Sequence, residues 1–422
     1  MRILLVGASG FIGRHLTEAL LARHQVLWAA RTPPPFDHAS LTYLPVDLVR
    51  DTDCDAWIRR LDGVDVVINA AGILREHGLQ TFDAIHVRAP VALFDACAQR
   101  GIGRVIQLSA LGADADAQSA YHRSKKAADD HLRKLPLSSV VVQPSLVFGT
   151  DGISAELFCQ LAALPLLLLP GRGLQLVQPV HIDDLVALIG ALVESPQVPP
   201  RIVASGPRAI TLKDFLRELR KGMALLPAPC LSVPMTLVRL TANLARWLPG
   251  TLLDPDTLQM LERGNTGSCE DMARLTGRMP RDYAQFIRDG FERTTLRQRA
   301  LLGWLLPLLR GSIAAVWIVT AFVSAFVYPV ESSLQLLAAV GLHGALATLA
   351  LYGAALLDLV LGVLSLVIRR RWLWMAQIVL ILGYTLAITL RLPEFWAHPY
   401  GPLLKNLPML AGIWLLMSFE RR

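Results

Sequence analysis

The sequence predicts an α/β domain with a doubly wound parallel sheet, followed by an all-α domain of four transmembrane helices. Three observations support this prediction. Short apolar runs alternate with helix-length segments in the first part of the chain, and a glycine-rich turn follows the first run. The last part carries little charge, since residues 311–422 hold eleven of the charged side chains and the other 64 precede them.

The composition is that of a chain with a soluble part and a membrane-embedded part. The 422 residues are 53% hydrophobic and 18% charged, whereas a soluble domain carries about 25% charged residues. These values exclude a disordered chain and argue against an entirely soluble one. The net charge of +7 does not require a nucleic-acid partner, because many of the arginines flank apolar runs. The five cysteines form no CxxC pair, which argues against a zinc site and a disulfide framework.

The apolar runs of the first part do not alternate with polar residues, which is typical of strands buried on both faces of a sheet. The six predicted strands are residues 2–7, 25–30, 41–46, 64–69, 105–109 and 139–143. The segments between them have helical length and spacing, for example residues 11–23, 82–100 and 121–135. This alternation predicts a Rossmann-type sheet covered by helices.

From about residue 150 the regular alternation of apolar runs and helix-length segments ends. Proline-rich stretches occur at residues 195–200 and 226–234, with helical patterns around them. We expect a smaller lobe here that packs on the sheet and shapes a substrate cleft. The first domain, with this lobe, is predicted to span residues 1–300, and the membrane domain residues 301–422.

Four apolar segments are candidates to cross a membrane, which takes about 20 helical residues. They are residues 311–330, about 344–368, 372–390 and 403–419, with a short interfacial helix expected at 334–342. Arg310, the triplet at 369–371 and the pair at 421–422 fall on one side of these spans. The positive-inside rule therefore predicts a multi-pass protein of the inner (cytoplasmic) membrane, with both termini and the first domain cytoplasmic.

The glycine-rich turn GASGFIG lies between the first predicted strand and the first predicted helix. One glycine permits the tight turn, another lets backbone approach a pyrophosphate, and the last allows close helix–strand packing. The helix N-terminus adds free N–H groups and partial positive charge. An ordinary strand-to-helix turn is the plainer alternative to a dinucleotide site. The cofactor contacts expected here are Gly7, Ser9, Gly10, Phe11, Ile12 and Gly13.

The second strand ends at Arg31, without the carboxylate that accepts hydrogen bonds from the ribose 2′-OH of NAD. Arg31 is instead placed to pair with the 2′-phosphate of NADP. This favours NADP, with NAD as the alternative. The further cofactor contacts expected after the third and fourth strands are Asp47, Leu48, Ala70, Ala71 and Gly72.

Ser109 ends the fifth predicted strand, and Tyr121 and Lys125 follow at positions i and i+4 of a predicted helix. A phenol with a pKa of about 10 is a poor acid–base group at neutral pH. A nearby ammonium and an oxidised nicotinamide both favour the phenolate. We expect Ser109 to hold a substrate oxygen, Tyr121 to exchange its proton, and Tyr121 and Lys125 to contact the cofactor. The alternative is a YxxxK pattern on an ordinary amphipathic helix.

The motifs GASGFIG, NAAG and YHRSK, with Ser109 and PSLVFG at residues 144–149, resemble the short-chain dehydrogenase/reductase superfamily. HV at 86–87, LSALGA at 108–113 and PVHIDDL at 179–185 are similar to an atypical, extended-like branch. That branch includes the nucleotide-binding accessory subunit of respiratory complex I. The resemblance covers about residues 1–300, implies NAD(P) binding and adds Pro144 to the cofactor contacts. His86 stands where the typical active site has Asn, either as a link in a proton relay or as a structural histidine.

The last 110 or so residues resemble the DoxX-like four-helix membrane family in span number, topology and an acid in the second span. That acid, Asp358, is expected to mark a polar pathway or to tie helices together, with Gln377 and Tyr384 as candidate partners. Members of the broader family are associated with quinone-linked oxidation, which the resemblance implies here.

The predicted function is that of a membrane-anchored oxidoreductase that transfers hydride between NADP(H) and a carbonyl or alcohol, with lipophilic substrates included. One alternative is a non-catalytic NADPH-binding accessory or redox-sensing subunit of a membrane complex. Another is an epimerase or dehydratase of the nucleotide-sugar type. The expected partners are a small-molecule substrate, membrane lipid and a membrane-complex partner. Neither a metal ion nor nucleic acid is expected.

Overall fold

The computed structural model describes residues 1–245, 255–287, 290–399, 401 and 403–420. The arginine pair at 421–422, used above for the topology, lies outside these residues. The chain divides into two compact units, Met1–Ala300 and Leu301–Arg422.

Thirteen strands occur in the described part of the first unit. They are β1 Arg2–Val6, β2 Gln25–Ala30, β3 Leu41–Pro45, β4 Val66–Asn69, β5 Arg104–Leu108, β6 Ser139–Pro144, β7 Val147–Phe148, β8 Leu167–Pro170, β9 Leu176–Val177, β10 Val180–His181, β11 Arg201–Ala204, β12 Ile210–Thr211 and β13 Cys230–Val233. The helices are α1 Phe11–Leu20, α2 Cys54–Arg60, α3 Ala89–Arg100, α4 Ala120–Leu132, α5 Ile153–Ala163, α6 Ile182–Glu194, α7 Leu212–Gly222, α8 Met235–Ala245, α9 Pro255–Arg263 and α10 Glu270–Thr276. A π-helical turn, Asp83–Arg88, precedes α3, and a 3₁₀ turn covers Tyr283–Gln285.

Seven strands form one parallel sheet in the order β11-β6-β5-β4-β1-β2-β3. This confirms the predicted doubly wound fold, and the chain reverses its direction of travel between β1 and β4. Ligands of such sheets bind beyond the carboxyl ends of the strands at this reversal. The seventh strand, β11, comes from the region predicted as the lobe and pairs with β6.

The central strands are buried on both faces, as their uninterrupted apolar sequences require. In β1, Ile3 and Leu5 pack into one apolar layer with residues of α1 and α6. Leu4 and Val6 pack into the opposite layer with residues of α2, α3 and α4. The remaining strands of the unit form three two-stranded sheets, β7 with β10, β9 with β12 and β8 with β13.

A buried carboxylate at the start of α6 holds the segment that follows α10. Asp184 accepts hydrogen bonds from Arg278 Nη2 at 2.7 Å and from the backbone N–H of Arg281 at 2.9 Å. Arg281 Nε lies 3.3 Å from the same carboxylate. The neighbouring Asp183 also pairs with Arg281, at 3.0 Å, but is 42% exposed, against 2% for Asp184. Asp184 is therefore the principal anchor.

The described helices of the second unit begin with α11 Phe291–Phe322, which starts in the first unit and continues into a π-helical segment, Val323–Val327. The others are α12 Val330–Ala339, α13 Gly344–Val367, α14 Arg371–Arg391 and α15 Asn406–Phe419, with a 3₁₀ turn at Pro393–Trp396. Among the described residues, three segments are long and apolar enough to cross a membrane: Phe291–Val327, Gly344–Val367 and Arg371–Arg391. At 14 residues, or about 21 Å, α15 is shorter than the fourth predicted span. The predicted interfacial helix corresponds to α12.

Polar side chains join the helices of the second unit at one end. Arg310 of α11 forms an ion pair with Glu420, lies 5.1 Å above the ring of Trp374 and donates to the Ser365 carbonyl at 2.9 Å. Trp374 Nε1 donates to Glu420 Oε2 at 2.7 Å. The end of α15 is thereby tied to α11, α13 and α14.

Of the two partners predicted for Asp358, Gln377 is bonded to other residues. Gln377 accepts a hydrogen bond from Trp317 Nε1 and donates one to Ser365 Oγ, both at 2.8 Å. Asp358 is only 7% exposed, and its Oδ1 has no hydrogen-bond partner within the described residues. The interaction predicted between Asp358 and Gln377 is therefore wrong, whereas the other predicted partner, Tyr384, lies within electrostatic reach of Asp358.

We expect Asp184→Asn to destabilise the protein by about 2–3 kcal/mol, because the buried carboxylate loses charge-assisted hydrogen bonds to two arginines. Thermal unfolding of the full chain in detergent would show this as a fall of several degrees in the midpoint. The matched change Asp183→Asn, at a half-exposed ion pair, should cost less than about 1 kcal/mol. Equal effects of the two variants would contradict the anchoring role of Asp184.

Candidate active site

The glycine-rich turn after β1 depends on close backbone approach. Gly7 has a φ of +79°, and a Cβ there would lie 2.7 Å from the Cα of Ala71. A Cβ on Gly13 would lie 2.2 Å from the carbonyl oxygen of Gly7, a contact that backbone cannot relieve. A Cβ on Gly10 would lie 3.2 Å from the Gly7 carbonyl oxygen, which is close but can be accommodated. Gly7 and Gly13 are therefore required by the fold itself, whereas Gly10 leaves space on the exposed side of the turn.

The N-terminus of α1 opens at this turn. Gly10 is its N-cap residue, and no described side chain caps it or adds an acid to its first turn. Ser9 is exposed, and Ile12 packs against the sheet core. The ring of Phe11 lies against the loop after β7, where a Cβ on Gly149 would come within 2.8 Å of it. The residues of the PSLVFG motif thus meet the glycine-rich turn.

Arg31 lies one residue beyond β2, and its side chain is exposed. It is at the same sheet edge as the glycine-rich turn, because β1 and β2 pair Val6 with Ala29. Its carbonyl oxygen accepts a hydrogen bond from the Tyr43 hydroxyl at 3.0 Å, which fixes the backbone here. Arg31 therefore lies exposed at the edge of the sheet that carries the glycine-rich turn.

The other expected cofactor residues lie at the same edge with different surroundings. Asp47 Oδ1 accepts a hydrogen bond from the Val49 backbone at 3.2 Å, so its own loop engages this carboxylate. Leu48 packs into the apolar layer behind the loop. Pro144 ends β6, and its carbonyl accepts from the backbone of Leu111 at 2.9 Å. Ala70, Ala71 and Gly72 follow β4 and lie against the glycine-rich turn and Lys125.

Lys125 connects the ends of two neighbouring strands. Its Nζ donates to the Ala71 carbonyl at 3.0 Å, just beyond β4, and to the Leu108 carbonyl at 3.2 Å, at the end of β5. The side chain is only 4% exposed, and a Cβ on Gly72 would lie 3.0 Å from Nζ. Burial lowers the pKa of Lys125 to about 8, although the charge of Asp129 acts in the opposite direction.

Ser109 directly follows β5 and donates a hydrogen bond to Oδ2 of Asp129 on α4. Asp129 is fully buried, and burial raises its pKa to about 6 against the opposing effects of Ser109, Lys125 and Arg133. Sequence analysis missed Asp129. A signal was present, because Asp129 repeats the four-residue spacing of Tyr121 and Lys125 and so lies on the same face of α4.

Tyr121 lies on this face at the start of α4, with its ring 5.5 Å from that of His86 and at 81° to it. Burial raises the pKa of Tyr121 to about 12, and the nearby Asp129 carboxyl also acts to raise it. The ammonium of Lys125 was expected to shift this pKa downward. The protein residues instead hold the phenol protonated at neutral pH, and the amine of Lys125 is directed to two carbonyls.

His86, in the π-helical turn, uses both ring nitrogens within the protein. Its Nε2 accepts a hydrogen bond from the backbone N–H of Ile73 at 3.0 Å. Its Nδ1 lies 2.9 Å from Ser124 Oγ, which donates its own proton to the Tyr121 carbonyl, so Nδ1 is the donor. Burial lowers the pKa of His86 to about 2. A neutral ring with both nitrogens engaged favours the structural interpretation over the proton relay.

Gln143 supports the loop that carries Ser109. Its Nε2 donates to the Ala113 carbonyl at 3.1 Å, and its Oε1 accepts from Arg201 Nε at 2.6 Å. The buried amide thus joins β6, β11 and the loop after β5.

Each of the two units contains a region that matches a known protein family. Residues 3–204 match the NAD dependent epimerase/dehydratase family, and residues 314–414 match the DoxX-like family. The ceramide reductase of Caulobacter vibrioides is 30% identical over 202 residues, which cover 46% of this chain and 61% of that protein. NADH dehydrogenase (ubiquinone) 1 alpha subcomplex subunit 9 of Dictyostelium discoideum is 27% identical over 230 residues, which cover 52% and 63%. The matched regions span less than two thirds of each of these relatives.

Solved structures share the fold of the first unit at low sequence identity. A nucleoside-diphosphate-sugar epimerase from Staphylococcus aureus is similar with a TM-score of 0.56 at 17% identity, covering 68% of this chain and 100% of that chain. The UDP-glucuronic acid 4-epimerase from Bacillus cereus, solved with UDP-glucuronic acid and NAD, has a TM-score of 0.53 at 19% identity, covering 71% and 99%.

We expect Gly13→Ala to destabilise the protein by more than about 2 kcal/mol, because its methyl group would collide with the backbone of Gly7. Gly10→Ala should keep the unfolding midpoint near that of the wild type and weaken the binding of a nicotinamide nucleotide, since its methyl group would narrow the exposed side of the turn. Thermal unfolding and nicotinamide fluorescence of the full chain measure the two effects separately. A Gly13→Ala variant as stable as the wild type would contradict the described packing.

The fold, the glycine-rich turn and the two family matches agree, and they confirm the predicted resemblance to an atypical short-chain dehydrogenase/reductase and to the DoxX-like family. The apolar helices and the DoxX-like match indicate a membrane protein. The chain therefore joins an NAD(P)-binding domain of the epimerase/dehydratase type to a DoxX-like membrane domain.

Proposed function

We propose that this protein is a membrane-anchored oxidoreductase that uses NADP(H) to reduce the carbonyl group of a lipophilic substrate. The observation that carries the proposal is the convergence of Ser109, Tyr121 and Lys125 with the glycine-rich turn at the carboxyl edge of the sheet. Lys125 connects the two regions, because it donates to the carbonyl of Ala71, which packs on the glycine-rich turn, and to the carbonyl of Leu108, next to Ser109.

The residues at the turn fit a nicotinamide dinucleotide. The uncapped N-terminus of α1 offers N–H groups to a pyrophosphate, and Gly10 leaves room for it. Arg31 is exposed where the ribose 2′ position of such a ligand would lie, which favours the 2′-phosphate of NADP. When bound, the nicotinamide supplies the hydride.

The protein's own residues handle the substrate oxygen and its proton. The Ser109 hydroxyl orients the oxygen, and Tyr121 gives it a proton during reduction. Burial raises the pKa of Tyr121, so at neutral pH the phenol carries the proton that reduction requires but is a weaker acid than a free phenol. Lys125 holds the two strand ends in register and adds positive charge beside the reacting oxygen.

Two features support a lipophilic substrate. The same chain carries a membrane domain with three segments long enough to span a bilayer. The first unit is similar to a ceramide reductase, which by its name acts on a lipid. We therefore propose a carbonyl group on a membrane lipid or a lipid-soluble molecule as the substrate class.

The distribution of charge in the membrane unit supports a cytoplasmic location for the first unit. Arg310 and Arg371 both contact Glu420, so these cationic side chains cluster at one end of the bundle. Under the positive-inside rule this end faces the cytoplasm, as expected for an inner-membrane protein.

A second candidate function is that of an NADPH-binding accessory subunit without turnover. Its support is the similarity to subunit 9 of the alpha subcomplex of NADH dehydrogenase. A tightly held nucleotide that no carbonyl acceptor oxidises would favour this function over the first.

We expect Tyr121→Phe to lower the rate of NADPH-dependent ketone reduction by at least about 100-fold, because the proton donor is lost. NADPH affinity should change by less than about threefold, since the hydroxyl is not part of the dinucleotide turn. Tyr283→Phe removes a half-exposed hydroxyl in the 3₁₀ turn and serves as the control. Full activity in Tyr121→Phe would remove Tyr121 from the mechanism.

We expect Arg31→Ala to weaken NADPH binding by roughly tenfold or more, because a charge-assisted contact to the 2′-phosphate is lost. NADH binding should stay within about twofold. Arg59→Ala changes the net charge equally at another exposed site, on α2, and should alter neither affinity. The measurement is a fluorescence titration with both nucleotides, and an equal loss for NADH and NADPH would refute the role of Arg31.

A further inference from the structure

The hydrogen bond between Ser109 and Asp129 places a constraint on the proposed chemistry. Ser109 is the residue expected to donate to a substrate carbonyl, but its hydroxyl proton is directed to Asp129. A serine hydroxyl has one proton to donate. While Ser109 donates to Asp129, it is only an acceptor toward any ligand.

Asp129 has no exposed surface through which water could replace this bond. The groups that face it are the ammonium of Lys125, the guanidinium of Arg133, the phenol of Tyr121 and the amide of Gln107. Gln107 is itself fixed, because it accepts a hydrogen bond from Asn69 Nδ2 at 2.8 Å. From the π-helical turn packed against α4, His86 faces the same region as a neutral ring.

An ionised Asp129 holds the Ser109 proton, because turning the hydroxyl away would leave a buried carboxylate without that partner. A protonated Asp129 has an O–H of its own and reverses the bond. It then donates to Ser109 Oγ, and the serine proton becomes available to a second acceptor.

We propose that Asp129 is a positioning residue that sets the direction of the Ser109 hydrogen bond, so that Ser109 donates to a substrate carbonyl oxygen only when Asp129 is protonated. The inference rests on the proposed carbonyl reduction and adds a pH dependence to it. In the reverse direction an alcohol substrate is itself a donor, and an ionised Asp129 leaves Ser109 able to accept from it.

Because the pKa of Asp129 is about 6, its carboxyl changes protonation state within the pH range in which the enzyme can be assayed. Well above pH 6 the protonated fraction falls tenfold for each pH unit, so the reduction rate should fall by up to that factor. Oxidation should be fastest above pH 6. The overall equilibrium of the reaction also depends on pH, but equally so for every variant of the enzyme.

The first experiment needs no substrate. Infrared difference spectra of the full chain in lipid vesicles, recorded from pH 4.5 to 8, should contain a buried carboxylic-acid band that disappears near pH 6. The band should be missing in Asp129→Asn and present in Asp130→Asn, a change at the half-exposed neighbour. In Ser109→Ala it should persist to higher pH, because a hydrogen bond that stabilises the carboxylate is gone. An unchanged titration in Ser109→Ala would overturn the proposal.

The second experiment measures the reduction of a named probe, 2-hexadecanone, in single turnovers with saturating NADPH from pH 5.5 to 7.5. The wild type and Asp130→Asn should slow about tenfold from pH 6.5 to 7.5. Asp129→Asn should vary less than twofold, because the carboxamide donates to Ser109 at every pH. The same profile in Asp129→Asn and the wild type would overturn the proposal. If the wild type reduces no carbonyl, the proposed function fails, and the infrared titration decides separately whether Asp129 controls Ser109.

Discussion

The buried ammonium of Lys125 is the interaction on which the candidate active site depends. It binds the carbonyl groups of Ala71, after β4, and Leu108, at the end of β5. These contacts fix the distance between the segment that packs on Gly7 and the loop that carries Ser109. A buried ammonium is costly unless it is paired and hydrogen-bonded. Here the two carbonyls and the nearby charge of Asp129 satisfy it. The glycine-rich turn and the face of α4 that carries Tyr121 are thereby held together at this edge of the sheet.

The two units use polar groups in comparable ways. In the first unit, Asn69 donates to Gln107 and Ser109 donates to Asp129 beneath the site. In the second unit, Arg310, Trp374 and Glu420 tie four helices together at one end. Both networks are nearly closed to solvent, so each polar atom depends on its protein partner. Oδ1 of Asp129 and Oδ1 of Asp358 are buried carboxyl oxygens that have no hydrogen-bond partner within the described residues.

The sequence was sufficient to predict the sheet, the glycine-rich turn and the spacing of Tyr121 and Lys125, because these follow from local periodicity and backbone geometry. It did not reveal Asp129, since the importance of that carboxyl arises from burial against Ser109, which lies 20 residues away in the chain. Nor did the sequence show that burial raises the pKa of Tyr121, because burial depends on the packing of distant segments. The hydrogen bonds of Gln377 to Trp317 and Ser365 were not predicted, because hydropathy does not show how packed helices are rotated relative to one another. The length of α15 was overestimated, because an apolar sequence alone does not show at which residue a helix begins.

The central claim is that the first unit passes hydride from NADPH to the carbonyl carbon of a lipophilic molecule. The most direct measurement is mass spectrometry of the alcohol formed from a vesicle-dissolved long-chain ketone, with NADPH deuterated at the nicotinamide C4 position and the full chain in the same vesicles. The account predicts deuterium from one C4 face only, bound to the carbinol carbon. Nucleotide that binds saturably but yields no labelled alcohol with any lipophilic ketone would contradict it and favour the accessory-subunit function.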